Sequence, residues 1–141
     1  MVVISLSHRL MYLRGNMTND KLKEMFRLRE RFMQEIANAN PSIYPEWPVD
    51  LTDKTSQQVL RDTALKGVEE MFEALQHLKN WKPHKQTEVK EFDREEFLEE
   101  VVDAFNYFFS LLVLTGVDAD ELFNAYQKKD AIIHNRLRTG Y

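Results

Sequence analysis

The chain has 141 residues, a formal net charge of −4 and no cysteine. That length fits one domain able to bury a core without covalent staples, and the missing thiols exclude disulfides and thiolate metal sites. No apolar run approaches a membrane span, no long basic block favours phosphate-backbone binding, and Met1 to Gly15 lacks the order of a secretory signal, so a cytoplasmic protein with neither nucleic-acid nor membrane partners is expected.

Residues 1–17 precede the first periodic segment and read as an N-terminal arm, with the domain proper at 18–141. Thr18 or Asn19 can cap a helix running to about Asn40, with Leu22, Met25, Phe26, Phe32, Met33 and Ile36 at helical spacing. Three of the four prolines then crowd into a loop over 40–51. Asp53 or Thr55 opens a second helix, expected to reach about Trp81, where Lys82-Pro83 stops it. Asp93 with Glu96 has capping-box spacing for a third helix, and Gly116 suits its C-terminal cap. Asp118 with Glu121 opens a fourth helix to about Arg136. No segment alternates with period two, so the expected architecture is all-α, four main helices in a bundle.

Two acidic pairs stand out. On the second helix, Glu70 and Glu73 border a stripe of Leu60, Ala64, Met71, Leu75 and Leu78, while Glu69 points elsewhere. On the third, Glu100 and Asp103 border Val101, Val102, Phe105, Phe108, Phe109 and Leu112. Acids three apart share one helix face. Either pair alone is what a solvated face also carries. Two facing pairs would gather four carboxylates, a repulsive arrangement that a hard divalent cation relieves. Arg29 is a further oddity, a charge central to the first helix's apolar stripe. It either reaches past the core edge to an acid or contacts a base or phosphate, and an arginine can pair with O6 and N7 of guanine.

The pattern Glu69-Glu70-x-x-Glu73, twenty-six residues, then Glu100-x-x-Asp103 resembles the all-α NTP pyrophosphatase superfamily, the MazG-like group with the dimeric dUTPases and phage dCTP/dUTP pyrophosphatases. The likeness to the phage group extends to Lys79-Asn80-Trp81-Lys82 and to a last helix carrying Lys129 and Arg136 before Gly140-Tyr141. The resemblance implies a homodimeric enzyme that hydrolyses a deoxynucleoside triphosphate, dUTP or dCTP, to the monophosphate and pyrophosphate. It implies two or three Mg²⁺ ions, replaceable by Mn²⁺, on Glu70, Glu73, Glu100 and Asp103, with Glu70 or Glu73 also handling the attacking water. Lys82, Lys129, Arg136 and Tyr141 would hold phosphates, and Arg29, Trp81 and Asn106 would face the base.

The chain departs from that pattern where the family usually has a base-contacting Gln, here Arg29, and at Ile133 and Leu137 on the last helix. These departures leave the base open, so a purine or non-standard nucleotide is an alternative substrate. A non-catalytic helical interaction module is the alternative outside enzymology. Trp47 reads as a lid over the helices or a base-stacking ring, and His77 as a surface residue or a neighbour of Glu73.

Overall fold

The computed structural model describes residues 20–140. They form four α-helices: α1 Lys21–Ala39, α2 Lys54–Leu75, α3 Arg94–Leu114 and α4 Ala119–Thr139. No strand occurs among the described residues, so the all-α expectation holds. The proposed arm at 1–17 and the expected caps Thr18 and Asn19 lie outside the described residues. Asp20 does the capping instead, accepting from the Lys23 backbone N–H at 3.1 Å.

The other helix starts follow the expected chemistry. Asp53, Asp93 and Asp118 each accept from the backbone N–H three residues on, at 2.8, 2.9 and 2.8 Å. Each carboxylate thereby satisfies one of the donors that a helix start leaves unpaired. At the end of α3, Gly116 adopts φ 77°. The Val117 N–H returns to Leu112 O and the Gly116 N–H to Val113 O, both at 3.0 Å, a Schellman closure that needs the left-handed residue.

The chain divides into two compact units, one of residues 29–117 and one formed by the start of α1 with α4. In the second unit, Lys23 pairs with Asp120 at 3.3 Å. In the first unit, α2 and α3 pack antiparallel. His77 lies edge-on to Phe97 (centroids 6.4 Å apart), and Gly67 sits against Phe108. A Cβ on Gly67 would stand 2.7 Å from the Phe108 ring, so the missing side chain lets the helices approach. Met33, Ala74, Ala104 and Leu114 are fully buried. The proline-rich loop docks on the end of α3 through Val49 N–H to Leu114 O at 2.9 Å, and contains a cis Trp47–Pro48 bond.

Two expectations need correction. Helix α2 ends at Leu75, not near Trp81. Its last turn tightens into i→i+3 bonds from Gln76, His77 and Leu78, and Asn80 accepts from the Thr87 N–H at 3.0 Å, closing a loop that carries Trp81, Lys82 and Pro83. The apolar stripes are also rotated from those expected. On α2 the buried residues are Thr63, Gly67 and Ala74, while Leu65, Val68, Phe72, Leu75 and, beyond the helix, Leu78 are exposed. On α3, Leu98, Val102 and Phe105 are exposed and Ala104, Phe109 and Ser110 are buried. Small residues line the α2–α3 contact because the axes lie close, which turns the larger apolar side chains outward.

Candidate metal centre

The antiparallel α2–α3 pair brings Glu70, Glu100 and Asp103 together. One carboxylate oxygen from each lies within 4.8 Å of the others. None of the three is buried, and among the described residues none makes an ion pair. Loss of solvent contact, then Glu73, Asp103 and Glu69, pushes the Glu70 carboxyl above its ordinary value. The Glu100 carboxyl is raised by the same loss of solvent, then by Glu73, Asp103 and Glu70, with His77 pulling the other way. Three hard oxygen donors under mutual repulsion could hold a metal ion, and their chemistry favours a hard cation over a soft one.

Of the four expected ligands, the fourth is set apart. Glu73 is exposed and outside the three-carboxylate cluster, though its charge acts on both Glu70 and Glu100. Glutamates at 70 and 73 are only about 60° apart around a helix and one turn apart along it, so one can face the partner helix while the other stands at the border of the same face. Lys66, on the same strip, is engaged by Asp62 at 3.1 Å, which raises its pKa.

Arg29 lies half-buried toward the other end of the same α3 face. Its Nε donates to Ser110 Oγ at 2.6 Å, and its guanidinium stands 4.7 Å from the Phe32 ring centre and 5.8 Å from that of Tyr107. Burial lowers its pKa, while Tyr44, Tyr107 and Asp103 pull it back up. The acid expected as partner of a core-edge arginine is therefore replaced by a hydroxyl and two rings. Sequence reasoning passed over Ser110 and Tyr44. Ser110 interrupts the apolar run FNYFFSLLVL and falls seven residues after Asp103, one helical face, which is the signal that could have found it.

The remaining candidates are dispersed. Asn106 lies on α3 one turn after Asp103 and is partly buried. Trp81 is 69% exposed, with the Lys82 ammonium 5.6 Å from its ring. Trp47 donates to Glu30 at 3.1 Å and meets Tyr44 edge-on, a structural role in the loop. Lys129 and Arg136 are exposed on α4, in the other unit, and Tyr141 lies outside the described residues. No known protein family, curated protein or solved structure matches this chain. No helix among the described residues is long and apolar enough to cross a membrane.

Proposed function

We propose that the protein is a Mg²⁺-dependent nucleoside triphosphate pyrophosphatase, acting on a deoxynucleoside triphosphate in the cytoplasm, where such nucleotides are used. The observation that carries this reading is the meeting of Glu70, Glu100 and Asp103 from two antiparallel helices within 4.8 Å. The sequence resemblance supplies the reaction class.

Glu70, Glu100 and Asp103 would hold the metal. When bound, Mg²⁺ supplies phosphate-charge neutralisation and a bound water of lowered pKa. Glu73, exposed outside the cluster and acting on it through its charge, would accept a proton from the attacking water. Lys82, on the loop that Asn80 closes, offers a phosphate contact. The exposed rows Leu65, Val68, Phe72 and Leu75 on α2, and Leu98, Val102 and Phe105 on α3, support a homodimer, since such apolar rows call for cover.

Incubation of the full chain with Mg²⁺ and each common deoxynucleoside triphosphate tests the reading. Release of pyrophosphate and the monophosphate from at least one is expected. Folded protein that releases none, and whose melting temperature ignores Mg²⁺, overturns it in favour of a non-catalytic helical module. A sedimentation measurement of mass checks the dimer.

A further inference from the structure

Helix α4 carries an apolar face that its own unit leaves bare. Lys23 of α1 meets Asp120 at the first turn of α4 at 3.3 Å, but every residue from 123 to 140 is exposed. A lone helix of this length is marginal in water, and helices in folded chains draw most of their stability from packing an amphipathic face. Phe123, Tyr126, Ile133 and Leu137, with Asp130 between them, recur at alternating steps of three and four residues. That is the a/d pattern of a helix that packs lengthwise against another helix. Tyr126 is 71% and Leu137 68% exposed, so nearly the whole of each ring or side chain is left for a partner to cover.

The charges select the partner. Asp120 and Glu121 occupy the first turn of α4, and Arg136 and Arg138 the last. This placement offsets the dipole of α4 itself. Against a second copy running antiparallel, it also sets each acidic end beside a basic end, twice over by two-fold symmetry. A parallel copy would set acid against acid and base against base. The apolar face favours the same direction. Reversing one helix sets a positions against d positions, so Phe123 faces the partner's Ile133 and Tyr126 faces the partner's Asp130. The phenol can then donate to that carboxylate, which in its own helix stands 3.3 Å from His134. A parallel copy would instead press Asp130 against the partner's Asp130, a like-charge contact in an apolar seam.

We propose that α4 pairs antiparallel with α4 of a second copy of this chain, through Phe123, Tyr126, Ile133 and Leu137. The seam lies on a different helix from the apolar rows of α2 and α3, and it does not depend on the pyrophosphatase reading.

The chain has no cysteine, so Phe123→Cys and Ile133→Cys each introduce a lone thiol at an exposed position. The full-length variants, carrying different tags, are produced together so that mixed pairs form, and are treated with a short bis-maleimide linker. The antiparallel seam sets position 123 opposite 133, whereas like positions stand about 15 Å apart along the axis. Mixed pairs should therefore cross-link several-fold more than either variant produced alone. Equal linking in a variant by itself marks a parallel pairing and overturns the proposal. So does the absence of linking in all three samples, which would leave α4 to another part of the chain or to a different protein. Sedimentation gives a second reading. A chain with both Ile133→Glu and Leu137→Glu should show half the native mass. An unchanged mass, or a native mass of a single chain, overturns the pairing whatever the outcome of the pyrophosphate assay.

Discussion

Two regions of one helix face treat charge in opposite ways. In the first half of α3, Glu100 and Asp103 meet Glu70 with no ion-pairing cation from the described residues. Two turns on, Arg29 is hydrogen-bonded by Ser110 and flanked by Phe32 and Tyr107. The arginine is half-buried, where an unpartnered charge is costly, and the fold provides partners. The acids are nearer solvent, and like charges there stay repulsive until something from outside joins them. The difference teaches that the acidic end could take up a cation, as the proposed function requires, whereas the basic end is already oriented by the protein.

The strongest way to break this comparison is to remove an acid. Asp103→Asn or Glu70→Gln should lower kcat/KM by on the order of 10²–10³-fold. The metal-free melting temperature should stay level or rise, because repulsion is relieved, and the upward shift with Mg²⁺ should vanish. Thermal melts with and without Mg²⁺, beside a pyrophosphate assay, check both. A fall in metal-free stability would instead mark these acids as structural.

Glu73→Ala sharpens the acidic end by dividing holding from chemistry. It should lower kcat on the order of 10²-fold while keeping most of the Mg²⁺-induced rise in melting temperature, since Glu73 stands outside the three-carboxylate cluster. Equal loss of both would make it a fourth ligand. Gly67→Ala tests the approach of the helices that creates the cluster. Alanine favours the helix by about 1 kcal/mol, but displacing the Phe108 ring, 2.7 Å from the new Cβ, costs about 1–3 kcal/mol. A net destabilisation in urea titration is expected, together with a weaker Mg²⁺ response.

The smallest effect is the pH response. The Glu70 and Glu100 carboxyls are raised in the folded chain. Their contribution to stability is therefore fully present below the unfolded carboxylate pKa and is lost as pH rises through the folded values. Metal-free protein should lose a little stability across the upper carboxylate range. Saturating Mg²⁺ should cancel that loss, because it binds the deprotonated form. Melts across that range, with and without metal, measure the difference.

Much of the molecule was legible in sequence because its rules are local. Asp53, Asp93 and Asp118 cap helices through N–H groups three residues on, and Gly116 closes α3 because the turn needs positive φ. The spacing of Glu100 and Asp103 places them on one face for the same reason. What the tertiary structure decided was rotation and distance. The approach of α2 to α3 at Gly67 and Phe108 turned Leu75 and Phe105 outward and gathered three carboxylates instead of four. The early end of α2 followed from the loop that Asn80 closes with Thr87. Arg29 found Ser110 across 81 residues of chain. Helical periodicity fixes which residues share a face, but only packing fixes which face meets which, and at what separation.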